Sequence, residues 1–308
     1  MQKLSIVVPC YNEQETIYPF LEATQKVEEQ MHNQLTFEYI FVNDGSKDKT
    51  LEVLRRVSKQ FTNVHYISFS RNFGKEAGLL AGLEAASGDL VTVMDVDLQD
   101  PPELLVDMYA KIQEGFDVVG TRRADRKGEP PVRTFFSKMF YKIINMVSDT
   151  EMVDGARDFR LMTRQVVDAI LDLEEVNRFS KGLFSWVGFD VTYISYENRE
   201  RVAGETSWSF WSLFKYSMDG FINFSEAPLN LATWAGAFSF IISIIGILFI
   251  IIRKLTVGDP VSGWPSLVCI ILFIGGLQLL ALGIIGKYIS KIFLETKKRP
   301  VYIIKEKA

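Results

Sequence analysis

The stretch VTVMDVDLQDPPE, Val91 to Glu103, drives an apolar run into three acids, Asp95, Asp97 and Asp100, and stops at two prolines. The run Leu90–Met94 reads as a buried strand, ended by turn chemistry. Asp95 and Asp97 stand at i and i+2, so they share a face if the extended geometry persists. Two carboxylates that close repel each other unless a cation joins them. Such pairs, with open coordination positions, suit Mg²⁺ or Mn²⁺, which then take up substrate phosphate oxygens. Acids also end strands with no ligand at all, and D-x-D alone leaves that reading open.

Outward from this strand, apolar runs alternate with helical patterns. LSIVV (4–8) precedes an amphipathic stretch over 15–31, and FEYIFV (37–42) precedes one over 49–60. VHYISF (64–69) precedes 74–86, LVTVM (90–94) precedes 103–114, and DVVGT (117–121) follows. This rhythm predicts an α/β domain, Rossmann-like, with a mainly parallel sheet and helices on both faces. Ligands of such sheets bind beyond the carboxyl ends of the strands. The polar clusters PCYNE (9–13), NDGS (43–46), SRNFGKEAG (70–78) and DVDLQD (95–100) fall at those ends. No G-x-G-x-x-G follows the first strand and no G-x-x-x-x-G-K-[ST] occurs, which argues against a dinucleotide fold or a phosphate loop.

The rest of the chain has another composition. Residues 231–252 are uncharged and mostly apolar, and 266–286 are similar, with Gln278 the one strongly polar residue. About 20 residues of helix span about 30 Å, the thickness of a bilayer core. Two transmembrane helices are therefore expected, with 253–265 as an extracytoplasmic loop and 287–308 as a basic tail. The tail holds Lys287, Lys291, Lys297, Lys298, Arg299, Lys305 and Lys307, against Arg253 and Lys254 in the loop. That bias places the tail and the domain over 1–207 in the cytoplasm, and the protein in the plasma membrane as a multi-pass chain. Leu4–Val8 is too short for the apolar region of a signal peptide.

Net charge is −4, so nothing global points to nucleic acid. Cys10 and Cys269 lie far apart in apolar surroundings, and neither His32 nor His65 sits in a metal-ligand pattern. Two further segments look interfacial. RTFFSKMFYKIINMV (133–147), within an amphipathic segment over 131–148, puts Phe136, Met139, Phe140, Ile143 and Ile144 on one stripe. Residues 208–228 are rich in Trp, Tyr and Phe, which favour the headgroup zone. Both are expected on the inner leaflet, at the mouth of the site.

The order SIVVPCYNE, VNDGSKDKT, RNFGKEAGLLAG, MDVDLQDPPE and DGARDFRLM resembles family 2 glycosyltransferases of the GT-A fold. The nearer match is the branch of dolichyl-phosphate mannose synthases and bacterial polyprenyl-phosphate glycosyltransferases. The end of the chain, GKYISKIFLETKKRPVYII, is similar to bactoprenol glucosyltransferases. The resemblance implies inverting transfer of a hexose, with glucose from UDP-glucose the first choice, to polyprenyl (undecaprenyl) phosphate. The lipid-linked sugar would serve cell-surface polysaccharide modification.

The same resemblance implies residue roles. Pro9, Tyr11, Glu13, Asp44, Lys75 and Asp95 would bind the nucleotide sugar. Asp97 and Gln99 would hold Mg²⁺ or Mn²⁺. Asp158, Asp95 and Asp97 form the catalytic set, with Asp158 orienting sugar or acceptor, or acting as a base. Arg122, Arg133, Ser137 and Arg201 would hold the lipid phosphate. Mannose synthases often read D-A-D-L-Q-H, from which Val96 and Asp100 depart, weakening mannose as the sugar. UDP-GlcNAc or GDP-mannose as donor remain alternatives, as does a polysaccharide synthase, although no QxxRW-type motif is present. Relatives of this kind can form tetramers, so a homo-oligomer is a further expectation.

Overall fold

The computed structural model describes residues 1–123, 139, 141–146, 153, 155–197, 222–223, 225–257 and 263–308. The first half alternates strand and helix: β1 (Gln2–Cys10), α1 (Ile17–Met31), β2 (Leu35–Asn43), α2 (Thr50–Gln60), β3 (Val64–Phe69), α3 (Lys75–Ala85), β4 (Leu90–Val93), α4 (Leu104–Gln113) and β5 (Val118–Arg123). Then come β6 (Ala156–Thr163), α5 (Arg164–Leu171), α6 (Ser180–Trp186) and β7 (Val191–Tyr196). Two long helices, α7 (Ala227–Val257) and α8 (Trp264–Thr296), precede a last strand, β8 (Ile304–Lys307).

The eight strands form one sheet in the order β7-β5-β6-β4-β1-β2-β3-β8. Strands β1, β2, β3 and β4 are mutually parallel, as are β5 and β7. Their apolar runs are continuous because both faces are covered. On one face α1, α2 and α4 pack Phe20, Leu54 and Leu105 against Ile6 and Phe41. On the other, α3 and α5 pack Leu79, Leu83 and Val166 against Val7, Val42 and Val93. Helix α3 lies very close to the sheet: a Cβ on Gly82 would fall 2.2 Å from Val7 Cγ1. That closeness seats the start of α3 over the carboxyl ends of β1 and β4.

Strand β6 departs from the parallel rhythm. It inserts antiparallel between β4 and β5. Its sequence, ARDFRLMT, carries two arginines that hide its burial. Both find partners inside the fold. The Arg160 guanidinium lies 3.8 Å above the Phe184 ring, and Arg157 pairs with buried Asp100. Strand β4 also ends sooner than its sequence implies, at Val93, and Leu98 beyond it has φ +57°. Asp95 and Asp97 both lie past the strand, Asp97 in a turn, so the extended geometry that would put them on one face ends before them.

Helices α7 and α8 have 31 and 33 residues and run past the apolar runs read from sequence. Both are long and apolar enough to cross a membrane, and the candidate spans within them, Ala227–Gly246 and Ile270–Thr296, are 0% buried. The residues after α8, read above as a basic tail, turn back and end in β8, antiparallel to β3. Tyr66 N–H donates to Ala308 O at 2.9 Å, and Arg55 grips Glu306 through two hydrogen bonds. Edge strands commonly carry lysines, which makes this one look like a free tail.

Candidate active site

Strand register brings the acids together. Val93 of β4 pairs antiparallel with Arg160 of β6. Two residues forward from Val93 is Asp95, and two residues back from Arg160 is Asp158. Both therefore emerge past the same end of β4. Lys75, the first residue of α3, joins them: its Nζ lies 2.7 Å from Asp95 Oδ1 and 2.6 Å from Asp158 Oδ2.

The electrostatics of this cluster are set by its neighbours. Burial alone would push Lys75 down, but Asp158 and Asp95 outweigh it and hold its pKa well above the ordinary lysine value. Burial alone would push Asp158 up, but Lys75, Lys181 and Arg160 outweigh it and hold its carboxyl far below the usual range. The pair is thus charged at neutral pH, and Asp158 is a poor proton acceptor.

The loops around the cluster are braced. Asp44 is buried, and its two oxygens accept N–H bonds from Phe73 at 2.6 Å and Gly74 at 2.9 Å. Burial raises its pKa, and those donors offset only part of the rise. Gly45 has φ +61°, and a Cβ there would sit 2.2 Å from the Arg71 carbonyl carbon, so only glycine lets the two loops meet. The 11–16 and 44–50 loops are stitched together: Asn12 N–H donates to Ser46 Oγ, Lys47 N–H to Asn12 Oδ1, and Glu13 N–H to Thr50 Oγ1. Tyr11 is exposed, and Pro9 and Glu13 are half-buried at the end of β1.

In the acidic turn, Asp97 is 8% exposed, and its Oδ1 accepts the Gln99 N–H at 3.1 Å. Gln99 Oε1 accepts from Arg157 at 3.4 Å. Asp100 is buried and accepts from Arg157 Nε at 3.1 Å and from the Tyr196 hydroxyl. Arg122 stands exposed at the end of β5, where its Nε donates to Ser195 Oγ at 2.8 Å. Arg133, Ser137 and Arg201 lie outside the described residues, as do most of 131–148 and 208–228. Of the amphipathic stripe, Ile144 is buried while Ile143 and Met139 are each 40% exposed.

Three features escaped the sequence. Lys181, at the start of α6, lines a small cleft with Tyr141, Ala156, Arg160, Ser185 and Tyr193, and it is close enough to Asp158 to lower its pKa. Glu76 accepts the Ser180 N–H at 3.0 Å and the Ser180 hydroxyl, which ties α6 to α3. The Asp100–Arg157–Tyr196 network underpins the acidic turn. All three join residues far apart in sequence, and none has a spacing that would announce it.

A mixed, mainly parallel sheet with charged groups gathered past β4 has the GT-A-like architecture of glycosyltransferases. Residues 5–171 match the Glycosyl transferase family 2 profile. The Bacillus subtilis protein CsbB, which carries a provisional glycosyltransferase name, is 47% identical over 303 residues, 98% of this chain and 91% of its own. The SfII prophage-derived bactoprenol glucosyl transferase of Shigella flexneri is 41% identical over 304 residues, 99% of this chain and 98% of its own. A prophage bactoprenol glucosyl transferase homolog of Escherichia coli K12 is 39% identical over 303 residues, 98% of each chain. Among solved structures, mannosyl-3-phosphoglycerate synthase from Rubrobacter xylanophilus gives a TM-score of 0.49 at 17% identity over 71% of each chain, too loose a likeness to bear on ligands. The chain belongs to glycosyl transferase family 2, and it is a glycosyltransferase.

Proposed function

We propose that this enzyme transfers glucose from UDP-glucose to polyprenyl phosphate at the cytoplasmic face of a membrane, with inversion at the anomeric carbon. The observation that carries the reading is the Asp95–Lys75–Asp158 cluster at the end of β4. It occurs in a chain about 40% identical, nearly end to end, to proteins named bactoprenol glucosyl transferases. The two helices able to cross a membrane support an acceptor that resides there.

The chemistry follows from the acceptor. A phosphate monoester has a second pKa of about 6 and is largely ionised at neutral pH. It needs alignment and charge screening more than deprotonation. Asp158, held ionised by Lys75 and Lys181, suits that case: it accepts hydrogen bonds from the sugar and orients it, and takes no proton. Pro9, Tyr11, Glu13 and Asp44 frame the base and ribose, and Lys75 reaches the diphosphate. Arg122, Arg133, Ser137 and Arg201 receive the incoming phosphate, Arg as a planar fork.

The acidic turn fits a hard divalent cation, Mg²⁺ or Mn²⁺, because it offers oxygen donors only. Among the described residues no cluster of three or more His, Cys, Asp or Glu is gathered for a metal. An ion that keeps waters and takes substrate oxygens needs fewer protein ligands. Asp97 and Gln99 would hold it, with Asp95 beside them. When bound, the cation supplies positive charge to the departing diphosphate. Segments 131–148 and 208–228 rest on the inner leaflet, and the catalytic domain and C-terminus face the cytoplasm.

The test is a membrane preparation given radiolabelled UDP-glucose, UDP-GlcNAc or GDP-mannose with polyprenyl phosphate, with and without EDTA. Label from UDP-glucose should become extractable into organic solvent and vanish with EDTA. Preference for another donor would replace the sugar, and label confined to insoluble polymer would make the enzyme a synthase.

A further inference from the structure

Besides the return of the chain through β8, the foot of α8 is latched to the catalytic domain at the 176–177 loop. The Glu295 carboxylate accepts N–H bonds from Val176 at 3.0 Å and from Asn177 at 2.8 Å, and the Asn177 side-chain amide at 2.7 Å. The Asn177 carbonyl accepts from Asn223 Nδ2 at 2.8 Å, and about two turns back on α8 the Tyr288 hydroxyl donates to Ser225 O at 2.6 Å. These bonds gather α8 and the residues preceding α7 around a single loop. Three residues beyond Asn177 that loop becomes α6, whose Ser180 is tied to Glu76 and whose Lys181 faces Asp158. Glu76 in turn follows Lys75, the residue that joins Asp95 and Asp158.

We propose that Glu295 is a positioning residue: by fixing Val176–Asn177 to the foot of α8, it sets the catalytic cluster at the depth where a membrane-anchored phosphate arrives. This inference rests on the lipid-phosphate reading of the acceptor. The loop has its own supports on the domain side. Arg178 donates to the Leu173 carbonyl at 2.6 Å and the Ile170 carbonyl at 3.2 Å, and Ser180 stays tied to Glu76. Removing Glu295 therefore loosens the helix foot, which keeps the longer Lys291–Asn177 contacts at 3.4 and 3.5 Å, the Tyr288–Ser225 bond and the return of the chain through β8, and it leaves the cluster in place. The two ends of the latch do different work: Ser180–Glu76 holds the site together, and Glu295–Asn177 holds it to the membrane.

The test compares two acceptors on the full-length protein in vesicles. One is undecaprenyl phosphate embedded in the bilayer, and the other is a short prenyl phosphate dispersed in water. Glu295→Ala removes the acceptor of three charge-assisted bonds, so kcat/KM for the embedded acceptor should fall about tenfold or more. The short acceptor, which reaches the site from solution, should change less than about twofold, and so should the Kd for UDP-glucose. Glu295→Gln keeps one acceptor oxygen and should recover part of the loss, while Asn177→Ala, which removes one of the three bonds and keeps the two backbone donors, should reproduce only part of it. Equal losses on both acceptors, or a lost UDP-glucose affinity, would make the latch merely structural and overturn the proposal. A wild-type enzyme that used neither acceptor would instead overturn the lipid-phosphate reading itself.

Discussion

The sheet and the helix pair solve the same problem in opposite ways. In the sheet, apolar side chains meet other side chains: Phe41 is 0% exposed, with the Phe20 ring edge-on at 6.0 Å. In α7 and α8, which touch each other along one side, many side chains of the same kind are left largely uncovered: Phe273 is 69% exposed and Leu272 70%. The first region supplies its own apolar surroundings, and the second requires them from outside. The charged cluster lies with the first and the latch between the two, so chemistry sits on the self-sufficient part.

The largest expected effect tests that contrast directly. Phe41→Ala should cost about 3–5 kcal/mol of stability, read as a lower denaturant midpoint in detergent. Phe273→Ala should shift the same midpoint by less than about 0.5 kcal/mol, because little protein contact is lost. Similar costs for both would mean that α8 is packed in protein after all. Next comes Ile271→Lys, at a position 60% exposed. A water-facing helix would accept the lysine, whereas a helix centre within a bilayer pays about 3 kcal/mol. The variant should appear in smaller amounts in the membrane fraction, and unchanged insertion would speak for a soluble helix pair.

Within the sheet, Asp158→Asn keeps the shape and removes the charge that pairs with Lys75. Transfer should fall about 100-fold or more, with UDP-glucose Kd altered less than tenfold. Near-full turnover would remove Asp158 from the mechanism. A smaller effect concerns Glu38, far from the site. Burial raises its pKa, but the Lys3 ammonium at 2.8 Å, the Ser5 hydroxyl at 2.5 Å and Ser87 outweigh it and bring the carboxyl down from 4.5 to about 2. A folded pKa below the unfolded one gives stability that is complete above about pH 4.5 and is lost as pH falls toward 2. That window should hold about 2 kcal/mol of acid sensitivity. Glu38→Gln should flatten the pH dependence of thermal unfolding there, and an unchanged profile would assign the acid sensitivity to other carboxylates.

The two regions were also legible to different degrees. Strands β1 to β5 could be placed from sequence because burial on both faces makes their apolar runs continuous, and the polar clusters at their ends do adjoin one another. The long helices were legible from missing charge alone, though charge-based limits cut them short: α8 continues through Lys287 and Lys291 to Thr296. Strand β6 was hidden because Arg157 and Arg160 look solvated, whereas Asp100 and Phe184, distant in sequence, partner them inside the fold. Strand β8 was hidden by its lysines. The cluster itself was half legible. Asp95, Asp158 and Lys75 could each be named, but that Lys75 bridges the two acids depends on β6 running antiparallel, which no spacing in the sequence encodes.

The most direct measurement of the central claim is the anomeric configuration of the sugar on the lipid product, read by NMR after transfer from UDP-α-glucose. Attack by the lipid phosphate in line with the departing diphosphate, with no covalent enzyme intermediate, predicts a β-linked glucosyl phosphate. An α-linked product would contradict a single displacement and remove the division of roles assigned to the acids past β4 and the cations that receive the acceptor.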